Sequence, residues 1–113
     1  METTRQQKIS RLIQKDLSEI FRQECREQYA NAMITVTKVT IAKDMSLARV
    51  YLSIFAVNDK DTIFKKIVSR TKEIRFQLST RVKHQLRVIP DLLFFMDDSL
   101  DYIENIENLL KES

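Results

Sequence analysis

Glycine is absent from this sequence of 113 residues, and proline, cysteine and histidine occur once each. The absence of glycine excludes the phosphate-binding P-loop, the dinucleotide-binding GxGxxG turn and the GXXG loop that many RNA-binding domains use. Backbone positions that need a positive φ must therefore be occupied by other residues, and Asn and Asp tolerate this conformation best. Three such residues lie at predicted junctions between elements, namely Asn31, Asp44 and Asn58.

Cys25 is the single cysteine and His84 the single histidine, so little side-chain chemistry is available for catalysis. One cysteine excludes an internal disulfide and is typical of a protein from a reducing cytoplasm. A His/Cys metal cluster and a catalytic triad are also excluded, so we expect no metal, no cofactor and no small-molecule substrate. Asp97 and Asp98 form an adjacent carboxylate pair, but acids just before a helix more often serve as its cap and first-turn charge.

Long apolar runs are missing as well, and none approaches the roughly 20 residues that a membrane-spanning helix needs. The N-terminal sequence METTRQQKIS lacks the apolar core of a signal peptide. Hydrophobic residues make up 43% of the chain and charged residues 31%, which is ordinary for a soluble globular protein. We therefore expect one soluble domain over residues 1–113, without a membrane partner.

Charge is distributed unevenly along the chain. Between Lys60 and Ile89, nine Lys and Arg residues accompany two acids, which gives +7 in a chain whose total is +3. From Pro90 to Ser113, seven acids accompany one lysine, which gives −6. Apolar residues recur at helical spacing in the basic stretch, so it predicts an amphipathic helix with a basic outer face. Such a face suits a polyanion, although a solvated face is the simpler interpretation of a charge run alone.

The first half of the chain predicts a helix followed by a hairpin. Residues 3–28 carry a regular apolar stripe, and Thr4 and Gln7 have the spacing of a capping box at its start. A segment rich in β-branched residues follows at 33–42, and a segment at 48–56 alternates strictly between its two faces. They are separated by a short turn and therefore predict an antiparallel hairpin.

Three details of this hairpin are predicted. The apolar phase of its first strand changes between Val36 and Val39, which indicates a β-bulge. Asp44 is placed to accept a hydrogen bond from its own backbone in the turn. Tyr51 and Phe55 lie on the face opposite the main apolar set, where packing and stacking on RNA bases are both open.

The basic stretch and the segment after it complete the predicted order. Asp59 or Asp61 is the expected N-cap of the basic helix, and the polar residues 69–72 interrupt its apolar stripe, which predicts a break. Pro90 ends the helical pattern. Residues 92–96 then read as a short apolar strand.

A last helix is predicted after this strand, with Asp98 or Ser99 as its N-cap. The resulting fold class is α+β, with a three-stranded sheet covered by helices. The order αββααβ matches the type II KH arrangement, with one added C-terminal helix and an interhelical kink in place of the GXXG loop.

Three segments of the chain resemble the bacterial ribosome-binding factor A family. The first is RLIQKDLSEI at 11–20, and the second is ITVTKVTI at 34–41 running into DMSLARVYLS at 44–53. The third is RVIPDLLFF at 87–95, which continues into DDSL at 97–100. Their order and spacing make the resemblance specific, because each segment alone is a weak signal.

The resemblance implies a KH-like protein that binds the free small (30S) ribosomal subunit and assists its late maturation, including processing of the 5′ end of 16S rRNA. It further implies a monomeric, cytoplasmic factor without enzymatic activity and with a part in cold adaptation. Many family members build the interhelical kink from Ala-x-Gly, whereas this chain has Arg70-Thr71-Lys72 at that position. The bend is therefore expected to be shallower or to be made by ordinary residues.

We predict that the basic helical stretch contacts rRNA phosphates and that a patch on the first helix extends this surface. Because a helix presents one face at a time, only part of the set is expected to touch RNA. The alternative is a protein-interaction module whose basic helix docks on an acidic protein. The predicted phosphate-contacting residues are Lys65, Lys66, Arg70, Lys72, Arg75, Arg81, Lys83 and Arg87, with Lys8, Arg11 and Lys15 on the first helix.

Overall fold

Helices pack on a three-stranded sheet in the computed structural model, which describes residues 3–97. The order of elements, helix–strand–strand–helix–helix–strand, confirms the predicted α+β class and is consistent with the type II KH arrangement. The predicted C-terminal helix, with its cap at Asp98 or Ser99, lies outside the described residues. In the described part, no helix has the length and apolarity that crossing a membrane would require. The elements are α1 (Thr4–Gln28), β1 (Met33–Ile41), β2 (Leu47–Phe55), α2 (Lys60–Ser69), α3 (Thr71–Val82) and β3 (Asp91–Met96).

The capping box of α1 lies one residue earlier than predicted. The hydroxyl of Thr3 accepts a hydrogen bond from the Gln6 backbone N–H at 3.2 Å, and the Gln6 side chain accepts one from the Thr3 N–H at 2.8 Å. Gln6 is buried, and its Nε2 also donates to the carbonyl of Ile41 at 2.8 Å. The prediction of Thr4 and Gln7 was therefore wrong, because the contact with β1 selects the glutamine that faces the sheet.

Replacing Gln6 with alanine is expected to lower the free energy of unfolding by about 2 kcal/mol, since it removes half of the capping box and a buried hydrogen bond. The neighbouring exposed residue provides the control, and Gln7→Ala is expected to change stability by less than about 0.5 kcal/mol. Urea unfolding followed by circular dichroism measures both variants. Equal losses in the two would contradict the assignment of the cap to Gln6.

The sheet has the order β1-β2-β3, in which β1 and β2 are antiparallel and β2 and β3 are parallel. The register of the first pair shifts between Val36 and Lys38, which confirms the predicted bulge and assigns it to Thr37. The parallel pairing sets Asp91 beside Leu47, so the start of β3 lies at the same end of the sheet as the β1–β2 turn. The helices α2 and α3 form the long connection that this parallel pairing requires.

One hydrophobic cluster joins every element. Helix α1 contributes fully buried side chains along the predicted stripe, and alternate residues of β2 face them. Each buried aliphatic side chain contributes roughly 1.5–3 kcal/mol. The cluster therefore fixes which faces of α1, α2 and α3 remain outside. The least exposed large side chains are Ile13, Leu17, Ile20, Phe21, Tyr29, Val50, Leu52, Ile54, Ile67, Ile74, Leu78 and Val82.

Positive φ angles are accommodated without glycine, but only one of the three predicted positions is used. Asn31 has φ 62° as predicted, whereas Asp44 and Asn58 do not have a positive φ. The Asp44 carboxylate does accept hydrogen bonds from the N–H and hydroxyl of Ser46, at 3.1 and 2.6 Å, as predicted for the turn. In this turn the residue with a positive φ is Met45, directly after Asp44. The other positive φ values are 52° at Ala30, 63° at Met45 and 65° at Ala56.

The basic stretch divides into α2 and α3 as predicted. Asp59 is the N-cap of α2, and its carboxylate accepts from the N–H of Thr62 at 3.1 Å. The break falls at Arg70, which caps the end of α2 and precedes the first residue of α3. The Arg70 N–H donates to the carbonyls of Lys66 and Ile67 at 3.1 and 3.0 Å, so the turn closes on α2 before the chain changes direction.

Candidate nucleic-acid interface

Arg70 fastens the break between α2 and α3 to the end of α1. Its Nη1 donates to a carboxylate oxygen of Glu24 and to the hydroxyl of Tyr29 at 2.7 Å. Its Nη2 lies 3.1 Å from a carboxylate oxygen of Glu73. Gln77 donates to the other oxygen of Glu24, so both carboxylate oxygens are engaged. The Arg70 side chain is only 11% exposed and is therefore held by the protein rather than presented to a ligand.

Glu24 and Arg70 each favour the charged form of the other. Burial acts to raise the pKa of Glu24, but hydrogen bonds from Arg70 and Gln77, together with the Arg70 charge, hold that pKa below its ordinary value. The hydrogen bond to Glu24 in turn raises the pKa of Arg70, against the opposing effect of burial. The pair therefore remains charged at neutral pH.

Arg75 and Arg81, also among the predicted RNA contacts, make contacts within the protein as well. Arg81 donates to Glu19 at 2.8 Å and to Gln23 at 2.9 Å, which ties the end of α3 to α1. Arg75 donates to the carbonyls of Ile89 and Pro90 at 2.6 and 3.1 Å, which holds the loop before β3. Both guanidinium groups act as structural braces in this geometry.

The lysines predicted to contact RNA are exposed, as are Arg87 and the predicted basic patch of α1. The exposure of the lysines follows from side-chain chemistry, because an ammonium is more strongly hydrated than a guanidinium and remains at the surface. The three engaged arginines use the planar donors of the guanidinium, which match carboxylates and carbonyls. The exposed members of the predicted set are Lys65, Lys66, Lys72, Lys83 and Arg87, with Lys8, Arg11 and Lys15 on α1.

A concave groove forms where three segments of the chain meet. The Gln6–Ile41 hydrogen bond brings the start of α1 to the end of β1, next to the hairpin turn. The Asp91 N–H donates to the carbonyl of Ser46 at 2.9 Å, which brings the α3–β3 loop to the same turn. The groove between these segments has a volume of about 550 Å³.

Four cations and one carboxylate line this groove. Among residues 3–97, none of the four cations makes a hydrogen bond or ion pair with another side chain. The carboxylate is Asp44, whose pKa is lowered by its hydrogen bonds from Ser46, so it stays charged and leaves an excess of positive charge. The cations are Arg5, Lys8, Lys43 and Arg87, and the apolar lining consists of Ile9, Met45, Leu86 and Val88.

The groove brings together two predicted site residues, Lys8 and Arg87, that are far apart in sequence. Arg5 and Lys43 were missed. Finding them requires the parallel pairing of β3 with β2, which brings a helix start, a hairpin turn and the segment entering β3 to one end of the sheet. Charge counting along the chain did not reveal them, since neither lies in the basic stretch.

The sheet face that carries Tyr51 and Phe55 supplies no free aromatic pair from these two residues, as far as contacts within residues 3–97 show. Tyr51 stacks on Phe95 of the neighbouring strand, with ring centroids 5.2 Å apart. The ammonium of Lys60 lies 5.4 Å from the centroid of Phe55. Of the two possibilities left open for Tyr51 and Phe55, the structure therefore shows packing.

Asp97 has a contact that bears on the carboxylate pair. The hydroxyl of the bulged Thr37 donates to its carboxylate at 2.6 Å, which joins the end of β3 to β1. Its partner in the pair, Asp98, lies outside the described residues. The Asp97 carboxylate thus has a structural contact with the sheet.

Comparison with known sequences decides the family. The profile of the family described as ribosome-binding factor A matches residues 5–110. The chain therefore belongs to the ribosome-binding factor A family. Ribosome-binding factor A of Flavobacterium johnsoniae is 50% identical over 111 residues, which cover 97% of this chain and 85% of that protein. The Cytophaga hutchinsonii protein of the same name is 41% identical over 112 residues, which cover 99% and 84%.

Solved structures of the family share the fold. The crystal structure of ribosome-binding factor A from Thermus thermophilus aligns with a TM-score of 0.67 at 20% identity, covering 80% of this chain and 94% of that one. The solution structure of a Thermotoga maritima protein described as a putative ribosome-binding factor A gives 0.63 at 24% identity, covering 88% and 92%. A homology model of the Thermus thermophilus factor, fitted into a cryo-EM map of a 30S complex, gives 0.62 at 22% identity, covering 77% and 89%.

Within the ribosome-binding factor A family, this chain makes its interhelical break from ordinary residues. Arg70 has φ −99° and ψ 15°, a conformation that is open to residues with a Cβ atom. No left-handed residue is needed between Ser69 and Thr71, so Arg70-Thr71-Lys72 makes the break without the Ala-x-Gly expected from the resemblance. The Arg70 side chain then anchors the turn by contacting α1.

Proposed function

We propose that this protein binds the small ribosomal subunit through phosphates of 16S rRNA, as a non-enzymatic factor in subunit maturation. The observation that carries the proposal is the groove, in which Arg5, Lys8, Lys43 and Arg87 converge without carboxylate partners among residues 3–97. Unpaired cations that converge in a concave site bind anions through direct contacts and counterion release. Membership of the ribosome-binding factor A family supports rRNA as the polyanion.

The exposed lysines of the helix pair would add to the same interaction. Lys65 and Lys66 on α2, and Lys72 and Lys83 on or beside α3, are all exposed. Phosphate contacts made by such residues position a protein on RNA without selecting a sequence. The protein would then recognise one immature conformation of the rRNA by its shape, because only an RNA that fits both the groove and the helix pair can contact the two surfaces at once.

The proposed mechanism is a shift in rRNA conformation rather than a chemical step. A factor that binds one rRNA conformation more tightly shifts the folding equilibrium by the difference in its affinities for the two states. The proposal includes binding to the free subunit, assistance in late maturation and 5′-end processing of 16S rRNA, and a part in cold adaptation. It also includes action as a monomer in the cytoplasm. The resemblance of the three sequence segments to the family supports these finer points.

The test is binding to purified small subunits and to protein-free 16S rRNA in parallel, at several salt concentrations. Both are expected to bind the protein, and log affinity is expected to fall with log salt by about 0.7 to 0.9 per phosphate contact. Binding to subunits without binding to protein-free rRNA would instead support the alternative, a basic module that docks on an acidic ribosomal protein. Absence of binding to both would overturn the proposed function.

A further inference from the structure

Phe76 lies on the outer surface of α3 and is 68% exposed, the highest value among the exposed large hydrophobic residues of the described part. Its ring makes no aromatic or cation–π contact with another residue of 3–97. Lys72 precedes it by four residues and Lys83 follows it by seven, and both are exposed. Residues at these spacings lie on one face of a helix, so the ring stands between two lysines.

The packing of α3 does not account for this phenylalanine. The helix is anchored in the core by Ile74, Leu78 and Val82, which are fully buried on the other side. Phenylalanine also has a lower helix propensity than Ala, Lys, Arg, Glu and Gln, which favour exposed helical positions. An exposed aromatic ring on a cationic helix face therefore calls for a partner outside this part of the chain.

We propose that Phe76 is a stacking platform for an unpaired base of the RNA, with Lys72 and Lys83 binding phosphates on either side of it. The proposal rests on the proposed function and names the kind of nucleotide that the α3 surface takes. Aromatic side chains stack on bases that have left a duplex, and this contact is independent of base identity. The lysines lie about 6 Å and about 10 Å from Phe76 along the helix axis, which places charge on both sides of the ring.

Charge decides between RNA and an apolar protein partner. The exposed lysines of the helix pair, Lys65, Lys66, Lys72 and Lys83, give this surface an excess of positive charge, and the nearby Glu73 is paired with Arg70. The surroundings of the ring therefore attract a polyanion more strongly than an apolar surface. A base supplies a flat aromatic face while its own backbone supplies the phosphates for the lysines. One unpaired nucleotide with its neighbours thus satisfies both features of this surface.

Substitution at Phe76 separates stacking from hydrophobic contact. Phe76→Ala and Phe76→Leu are each expected to weaken binding to protein-free 16S rRNA about 10-fold, whereas Phe76→Tyr retains affinity, because stacking needs an aromatic ring. Met33→Ala is the control, since Met33 is 63% exposed and begins β1 rather than lying on α2 or α3. It is expected to leave the affinity unchanged. Because Phe76 is exposed, the thermal unfolding of its variants is expected to match that of the wild type.

A tryptophan at this position gives a direct optical signal. The chain contains no tryptophan, so Phe76→Trp introduces a single indole fluorophore. Its emission is expected to be quenched when single-stranded poly(A) binds and to change little with a fully paired RNA duplex of the same length. Equal responses to the two RNAs would contradict stacking on an unpaired base.

The outcomes separate the two proposals. If the wild type binds neither subunits nor rRNA, the proposed function fails. If the wild type binds rRNA while all Phe76 variants bind equally well and the indole is not quenched, the stacking proposal is overturned and the proposed function stands. Retention of affinity for protein-free 16S rRNA by Phe76→Leu but not by Phe76→Ala would overturn stacking in favour of a hydrophobic contact that needs no aromatic ring.

Discussion

Replacing Arg70 with alanine is expected to lower the free energy of unfolding by about 3 kcal/mol. The guanidinium joins the break between α2 and α3 to Glu24 and Tyr29, and its side chain is only 11% exposed. Its removal leaves the Glu24 carboxylate, 16% exposed, without its main cationic partner. Removing one partner of such a pair destabilises the fold by more than the intact pair stabilises it, because the remaining charge stays partly desolvated. Urea unfolding followed by circular dichroism measures the loss.

Two substitutions test whether the loss comes from this contact. Lys72→Ala removes a neighbouring exposed cation and is expected to change stability by less than about 0.5 kcal/mol. A double-mutant cycle of Arg70→Ala with Glu24→Gln is expected to give a coupling energy of about 1–3 kcal/mol. A coupling near zero would mean that Arg70 stabilises the fold without depending on Glu24.

The effect of Arg70 is also expected to depend on pH. The pKa of Glu24 is lowered in the folded protein, so its charge contributes stability that is fully present above the pKa of this carboxyl in the unfolded chain. This contribution is lost as the pH falls through the folded pKa, because the folded state then takes up the proton that the unfolded state already holds. The stability gap between wild type and Arg70→Ala is therefore expected to be full at neutral pH and to narrow in acid. A gap of constant size from pH 7 to pH 3 would contradict this assignment.

Helix α1, the β-bulge and the break between α2 and α3 could be predicted because each depends on residues that are close together in sequence. Helical spacing identified α1, and the phase change between Val36 and Val39 identified the bulge that the register assigns to Thr37. The polar run at 69–72 identified the break, because a segment without apolar residues cannot continue a buried stripe. In each case the signal and the structure lie within a few residues of each other.

Contacts between distant segments account for the wrong details. The α1 cap moved from the predicted Thr4 and Gln7 because Gln6 also reaches Ile41 in β1. Charge alone could not show that Arg70 faces inward. That orientation follows from the packing of α1 against α3, which sets Glu24 opposite the break.

The groove could not be located from periodicity because it depends on strand order. The short apolar strand at 92–96 was predicted, but its parallel pairing with β2 was not. That pairing carries Arg87 to the hairpin turn, where Lys43 and the start of α1 already lie. A single choice of sheet neighbour thus determines whether these cations converge or remain separate.

The double variant Lys8→Glu/Arg87→Glu is expected to weaken binding to small subunits and to protein-free 16S rRNA by about 100-fold at moderate salt. Each replaced cation removes a charge-assisted contact worth about 1.5 kcal/mol or more, and each new carboxylate repels phosphate. Both side chains line the groove and are exposed, so the fold is expected to be retained. Filter binding with labelled rRNA measures the affinity.

The matched control is Lys38→Glu/Arg49→Glu. It also replaces one lysine and one arginine, both exposed, and it changes the net charge of the protein by the same amount. These residues lie in β1 and β2 rather than in the groove. A general effect of net charge would weaken binding equally in the two double variants. If the groove contacts phosphate directly, the Lys8/Arg87 variant will bind rRNA much more weakly than the Lys38/Arg49 variant.

Salt dependence separates direct contact from long-range attraction. Loss of two phosphate contacts is expected to reduce the slope of log affinity against log salt by about 1.5 in the Lys8/Arg87 variant. The control pair, which acts only through the field of the whole protein, is expected to keep a slope close to that of the wild type, because salt screens distant charges over about 10 Å. Identical slopes for wild type and groove variant would remove the groove from the rRNA interface. Binding would then have to depend on the exposed lysines of the helix pair.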